Sequence, residues 1–185
     1  MPKLTVYPNN EALPPEYECQ IRAFVRMTWH DEYAYNLDTP IVPQERHPQH
    51  VVIAERHALL SYARVVWVDI EHLGEMWRMY CLGDVLTYPA FRKRGYGRQV
   101  VDTGTDLIRT DRLADTAILF TDPALEGFYA QAGWKHVPTL KPSVGEQDQP
   151  EDYPYFAMML FLSERAWRSE AEFVGTPLFL PGYGW

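Results

Sequence analysis

The sequence predicts an α+β fold in which helices pack on a mixed, largely antiparallel sheet. Two observations support this class. Between residues 50 and 88 the apolar residues form β-branched and aromatic runs, whereas after residue 97 they recur with helical spacing. The predicted elements then follow the order β, α, three strands, α, β, α, β, β. With 185 residues, 46% of them hydrophobic, the chain can bury one core, so we expect a single domain over residues 1–185.

The N-terminal half supplies one helix and four strands. A short alternating run at residues 4–7 predicts the first strand. Prolines 14–15 then open a stretch with helical apolar spacing, and proline suits a first helical turn. Residues 50–88 contain three strand-like runs, broken near residues 56–57 and 73–74, which predict three successive antiparallel strands.

Two helices and a strand follow. The helix that begins at Gly97 carries Gly104 in its interior, which we interpret as a point of close packing against the sheet. Residues 116–120 predict a short buried strand, and the Asp122-Pro123 pair is a helix start signal. The second helix ends at Gly133, which suits a left-handed cap.

The C-terminal part is predicted to hold two strands and a long connection. Residues 134–137 suggest an edge strand, and residues 155–162 form an apolar strand. Residues 138–154 between them are polar and contain prolines, so we expect a long loop, of the kind that is usually functional or mobile.

The charge of the chain is segregated. The formal net charge is −8, yet residues 92–98 carry four cations and no acid. An acidic chain with a pI near 5.2 lacks the broad basic face that a general nucleic-acid binder needs. A small basic segment in an acidic chain indicates a small anionic ligand instead.

The same segment, RKRGYG at residues 92–97, joins a predicted strand to a predicted helix. Unpaired backbone N–H groups and the helix dipole make such a point favourable for phosphate. It is not a dinucleotide fingerprint, because Val100 stands where a third glycine is needed, and the chain has no Walker A sequence. The alternative is a strand-to-helix turn with a solvated basic rim.

RKRGYG is similar to the R/Q-x-x-G-x-G/A motif of the GNAT superfamily of acetyl-CoA-dependent N-acetyltransferases. A second segment, FYAQAGW at residues 128–134, resembles the aromatic-Tyr-x-x-x-Gly-aromatic segment that follows the next strand in that family. The resemblance covers about residues 50–162. It implies a three-layer α/β/α GNAT-like fold with helices on both faces of the sheet, and an acyltransferase that moves an acetyl group directly to an amine.

The resemblance also implies how acetyl-CoA is held, as a cosubstrate and with no metal. The end of the strand before the loop would pair with the pantetheine amides, through Val85, Leu86 and Thr87. The loop would hold the coenzyme pyrophosphate, through Arg92, Lys93, Arg94, Gly95, Tyr96, Gly97 and Arg98.

Acetyl transfer requires a neutral amine, a polarised carbonyl and a proton for the leaving thiolate. By its place in the second motif, Tyr129 matches the family tyrosine that returns this proton, the alternative being a tyrosine of the core. The candidates for the base are Asp84 and Glu75, acting through water. Cys81 stands where some histone-modifying relatives carry a glutamate base, which argues against a direct base there. We do not assign Cys81 as a nucleophile.

Acidic residues outside the glycine loop suggest a cationic acceptor. Asp31, Glu32 and Asp38 follow the first helix, and Glu151 and Asp152 precede the last predicted strand. The alternative is that these carboxylates only solvate loops.

Within the superfamily the chain loosely resembles the aminoglycoside 2'-N-acetyltransferases. The shared features are the length, GW at 133–134 followed by a polar loop with PED at 150–152, and a final Trp185, which in those enzymes meets the drug. Gly83 departs from the pattern, because those enzymes carry an acidic residue there. The implied acceptor is a cationic small molecule such as an aminoglycoside.

Two other functions stay open at this point. One is N-acetylation of a peptide or protein amine, and the other is a coenzyme A-binding regulatory module without turnover. The apolar tail, residues 177–185, either lines the site or covers the interface of a homodimer.

We expect the protein to be located in the cytoplasm. The chain shows no leader pattern and no apolar run of membrane-spanning length. Cys19 and Cys81 fit neither a disulfide framework nor a metal site, so we expect reduced thiols.

Overall fold

The structure is a computed structural model, and it describes residues 1–30 and 42–185. The predicted acceptor residues Asp31, Glu32 and Asp38 lie outside the described residues.

The described residues form ten strands and five α-helices. The strands are β1 (Lys3–Tyr7), β2 (Gln49–Glu55), β3 (Ala58–His72), β4 (Glu75–Thr87), β5 (Thr116–Thr121), β6 (Lys135–His136), β7 (Pro142–Glu146), β8 (Gln149–Asp152), β9 (Phe156–Phe161) and β10 (Leu178–Pro181). The helices are α1 (Pro15–Thr28), α2 (Tyr96–Thr110), α3 (Glu126–Ala130), α4 (Glu164–Arg168) and α5 (Glu170–Gly175).

Seven strands form the main sheet in the order β1-β2-β3-β4-β5-β9-β6. Every neighbouring pair is antiparallel except β4 and β5, which run parallel. A parallel pair requires a crossover connection, and α2 provides it. The predicted mixed, largely antiparallel sheet is confirmed.

Helices cover both faces of this sheet. On one face α2 buries Val100, Val101 and Ile108 against β3 and β4, whereas α1 packs through Ile21 and Val25 on the opposite face. The predicted three-layer arrangement is therefore confirmed.

Gly104 is the point at which α2 approaches the sheet closely. A β-carbon at this position would lie 2.7 Å from Cδ1 of Leu82 and 3.3 Å from Cγ2 of Val65. The close packing predicted for Gly104 is confirmed, and it fixes the helix over the middle of the sheet.

The expectation of a long loop at residues 138–154 was wrong. This segment contains the β7–β8 hairpin, and β10 from the apolar tail pairs with β7 in parallel, which makes a second, three-stranded sheet. Val144, Leu178 and Leu180 are buried in the core on the face opposite α2. The tail strand supplies the partner that turns a polar, proline-containing segment into a sheet.

Candidate functional site

The parallel strands β4 and β5 separate before they end. Their pairing runs only from Met79 with Thr116 to Cys81 with Ile118, although β4 continues to Thr87 and β5 to Thr121. The separation opens a cleft of about 770 Å³. Its lining includes residues from both β4 and β5, from α3, from residues 153–156 and from the tail.

The cleft connects the two faces of the sheet. Leu82 and Tyr129 line it and belong to the apolar cluster on the α2 face. Phe120, Tyr153 and Trp185 also line it and belong to the cluster on the opposite face. The cleft is therefore bordered by residues from both faces of the sheet.

Asp84 is a buried carboxylate in the wall of this cleft. Its exposed fraction is 9%, and its φ of 51° places it in the left-handed region, where β4 slips register against β3. Burial raises the pKa of Asp84, and the nearby Arg64 offsets part of the effect. Among the described residues, no donor is hydrogen-bonded to its Oδ2 atom.

Arg64 is the counterion of Asp84 and was not singled out from the sequence. The exposed fraction of Arg64 is 1%. Its Nε lies 3.0 Å from Oδ2 of Asp84, and the two groups form an ion pair without hydrogen-bond geometry. Its Nη2 also donates to the carbonyl of Gly184 at 2.8 Å, so it ties the tail to the cleft wall. Gly83 leaves room for it, because a β-carbon there would lie 2.7 Å from Nη2.

Tyr129, the predicted proton donor, lies on α3 and lines the cleft. Its exposed fraction is 6%. Burial raises the pKa of Tyr129 to about 12, although a hydrogen bond with the Thr121 side chain lowers it in part. The phenol therefore keeps its proton at neutral pH.

The basic loop before α2 turns sharply. Lys93 and Gly95 both have left-handed backbone angles, with φ of 61° and 82°. Gln99 N–H donates to the Gly95 carbonyl at 3.0 Å and is the first donor of the helical ladder. The N–H groups of the three residues between them come before that donor and have no acceptor within the helix. These donors, Tyr96 to Arg98, form the kind of helix N-terminus that binds phosphate.

The side chains of this loop differ in what they contact. Arg92, Lys93 and Arg94 are exposed, with Arg92 Nε 3.2 Å from the Thr87 carbonyl and the Arg94 guanidinium 5.1 Å from the centre of the Phe91 ring. Arg98 instead donates from Nε to Asp102 at 2.8 Å.

Arg98 also connects the loop to α3. Its Nη1 donates to the Phe128 carbonyl and to Oε1 of Gln131, each at 3.2 Å. These contacts direct the guanidinium of Arg98 toward α3 and leave its backbone N–H at the helix start.

Gly97 brings the start of α2 against the end of β4. A β-carbon on Gly97 would lie 3.2 Å from Oγ1 of Thr87 and 3.7 Å from the Phe128 ring. Of the three strand residues predicted to meet pantetheine, Val85 lines the cleft. The backbone carbonyls of the other two residues already accept hydrogen bonds. That of Leu86 accepts from Ser61 Oγ, and that of Thr87 accepts from Arg92 Nε.

Of the other residues considered on β4, one lies away from the cleft and one is a buried thiol. Glu75 begins the strand, at the end far from Asp84, and pairs with Arg165 at 3.3 Å. Cys81 is fully buried, and burial raises the pKa of its thiol to about 11, so it carries no thiolate at neutral pH.

The residues predicted to bind the acceptor lie in different places in the structure. Trp185 lines the cleft, and its indole N–H donates to the Pro181 carbonyl at 3.1 Å. Glu151 and Asp152 lie on the exposed strand β8, and Glu151 accepts a hydrogen bond from the Tyr183 hydroxyl at 2.7 Å. Neither of these acids is part of the cleft lining.

Over residues 1–30 and 42–185, no group of three or more His, Cys, Asp or Glu side chains has an arrangement that could hold a metal ion. In the same ranges, no helix combines the length and apolarity needed to cross a membrane.

No family model matches the chain, and no curated protein is significantly similar to it in sequence. Solved structures do match. An acyl-CoA N-acyltransferase from Pseudomonas aeruginosa has a TM-score of 0.60 at 16% identity, covering 86% of this chain and 99% of that one. The GNAT family N-acetyltransferase YhbS from Escherichia coli, in complex with CoA, has a TM-score of 0.57 at 15% identity, covering 99% and 91%.

An aminoglycoside 6'-N-acetyltransferase complexed with coenzyme A is similar to the same degree, with a TM-score of 0.58 at 16% identity over 88% of this chain and 98% of that one. At these identities the likeness shows the fold alone. The chain has the fold of the GNAT acetyltransferases, as the two motifs predicted. The narrower resemblance to 2'-N-acetyltransferases is not supported, since the aminoglycoside enzymes among these neighbours are 6'-specific.

Proposed function

We propose that the protein is an acetyl-CoA-dependent N-acetyltransferase that moves an acetyl group directly to a primary amine of a small cationic molecule. The observation that carries the proposal is the position of the basic loop. RKRGYG begins the helix that crosses between β4 and β5, which run parallel in the main sheet, and those strands open into the cleft that holds Tyr129.

The loop suits the pyrophosphate of coenzyme A. The N–H groups of residues 96–98 offer donors to phosphate oxygens, and the exposed Arg92, Lys93 and Arg94 add positive charge. Gly95 provides the left-handed turn, and Gly97 the close approach to Thr87. In this proposal Arg98 contributes its backbone N–H and uses its guanidinium to hold α3.

The open edge of β4 suits the pantetheine arm. Val85 lies in the cleft wall beyond the point where β4 and β5 stop pairing, so its backbone faces a space rather than a strand. The arm would run from the loop along Val85, Leu86 and Thr87 toward Tyr129 and would be held as an added strand.

When bound, acetyl-CoA supplies an acetyl thioester, whose carbonyl carbon an amine can attack and whose sulfur must leave with a proton. Tyr129 suits the supply of that proton, because its phenol is buried in the cleft and its raised pKa keeps it protonated. Asp84 suits the removal of the amine proton, directly or through water, since it is a carboxylate in the lining of the cleft and burial raises its pKa.

The acceptor proposal keeps two parts of the sequence prediction. Trp185 is a contact for the acceptor, because it lines the cleft on the face away from the basic loop. The carboxylates Glu151 and Asp152 lie outside the cleft and would act only by attracting a cation toward it. An aminoglycoside is one such cation. An amine of a peptide or protein and a regulatory role without turnover are the alternatives.

A thiol-release assay tests the proposal. Purified protein with acetyl-CoA is mixed in turn with an alkylamine, a polyamine, an aminoglycoside, an amino acid and a peptide. We expect thiol release that rises with the concentration of at least one amine, and an acetylated product by mass spectrometry. Binding of acetyl-CoA without amine-dependent release across the panel would contradict the enzyme and favour the regulatory module.

A further inference from the structure

We infer that the acceptor is an arylalkylamine, a molecule whose single reactive amine is joined by a short chain to an aromatic ring. This inference rests on the proposed function and narrows its substrate class. It is drawn from the residues that line the cleft on the face away from the basic loop.

That part of the cleft has an aromatic wall, formed by Phe120, Tyr153, Tyr155 and Trp185. The rings of Phe120 and Tyr153 meet edge to face, with centroids 4.8 Å apart, and Tyr155 lies 4.4 Å from Tyr153. Trp29, at the end of α1, also lines the cleft. Rings arranged in this way favour a further ring in offset or edge-to-face contact.

Within residues 1–30 and 42–185, the carboxylates that line the cleft are few and already engaged. Among the described lining residues the carboxylates are Asp84 and Asp122. Asp84 is paired with the buried Arg64, and Asp122 accepts the N–H of Ala124 at 2.8 Å as the cap of the turn before α3. A polycation that enters the cleft loses the hydration of several charges and needs several free carboxylates to compensate, whereas a single amine needs one hydrogen-bonded partner.

The aromatic wall lies on the side of the cleft where the acceptor would bind, opposite the side proposed for the cofactor. The basic loop and Tyr129 lie on the α2 side, where the cofactor would enter. Phe120, Tyr153 and Trp185 belong to the opposite cluster. A ring held there would point its amine into the opening, toward Asp84 and Tyr129.

The test compares amines that differ in the ring. We expect acetylation of 2-phenylethylamine with a kcat/KM at least tenfold above that of n-butylamine, and also above those of spermidine and kanamycin. Equal rates for the phenyl and butyl amines, a polycation as the best acceptor, or no acetylation of the arylalkylamine would each overturn the inference.

A pair of variants separates the wall from the rest of the fold. Tyr155 is 51% exposed, so Tyr155→Ala should fold, and it should lower the phenyl-to-butyl ratio at least fivefold. Tyr183, which is 56% exposed and outside the cleft lining, is the matched control, and Tyr183→Ala should keep the ratio. An unchanged ratio in Tyr155→Ala overturns the inference.

The assay also distinguishes this inference from the proposed function. If spermidine or kanamycin is acetylated and the arylalkylamine is not, the acetyltransferase stands and the aromatic acceptor is wrong. If no amine is acetylated and acetyl-CoA does not raise the melting temperature, the proposed function fails as well.

Discussion

At the scale of single residues, the proposed chemistry depends most on Tyr129. A general acid must hold its proton until the thiolate leaves, and burial in the cleft raises the pKa of this phenol to about 12. A phenol with that pKa is only about 1% ionised at pH 10. Its proton is therefore present up to about pH 10, a range in which a growing share of an alkylammonium becomes free amine.

We expect Tyr129→Phe to lower kcat about 100-fold when chemistry limits the rate, with acetyl-CoA affinity nearly unchanged. Single-turnover kinetics with a saturating amine measure the chemical step. The wild-type rate should rise with pH as the amine deprotonates and should not fall between pH 8 and 10. Wild-type turnover in the variant, or a wild-type fall near pH 9, would remove Tyr129 from the role of acid.

Residues differ in how far the sequence alone reveals them. Tyr129 and the glycines of the basic loop lie in contiguous motifs, so the order of residues was enough to select them. Arg64 lies on β3, and its contacts with Asp84 and Gly184 depend on the slipped register of β4 and on the path of the tail. No local pattern reports such a pairing.

At the scale of elements, α2 links the core to the proposed cofactor site. The same helix begins at the basic loop and packs Gly104 against Leu82, which is itself part of the cleft wall. Its position over the sheet therefore sets the distance between the loop and the opening.

We expect Gly104→Val to destabilise the protein by about 2 kcal/mol, because the added methyl groups would overlap the buried Leu82 and Val65. Gly127→Ala in α3 is the control, since the added β-carbon meets nothing within 4 Å beyond its chain neighbours and its own helix backbone, and it should be neutral or stabilising by up to ~1 kcal/mol. Urea denaturation measures both. Equal stability of the two variants would show that α2 is not packed as described.

The elements that sequence analysis missed are those with distant partners. The main strands and helices were predicted because each has its own periodicity. The β7–β8 hairpin was taken for a loop, because its burial depends on β10, which follows it by more than two dozen residues. A parallel pairing across that distance leaves no local signal.

At the scale of the whole molecule, the charge pattern and the topology agree. The four cations of residues 92–98 interrupt an otherwise acidic chain, and they lie where the crossover helix begins beside the opening in the sheet. The main sheet pairs β4 and β5 for only three residues each, so the fold itself creates the passage between its faces. The proposed function uses that passage for two substrates from opposite sides.

The central claim is that the basic loop binds acetyl-CoA, and thermal melting with the cofactor tests it most directly. At 100 times its dissociation constant acetyl-CoA should stabilise the protein by about 2.7 kcal/mol, a rise of roughly 5 °C or more. Arg94→Glu, in the loop, should bind about tenfold more weakly and keep only about 1.4 kcal/mol at the same concentration. Arg112→Glu, an exposed arginine beyond the far end of α2, should behave like the wild type. A wild-type melting temperature unmoved by millimolar acetyl-CoA would contradict the account.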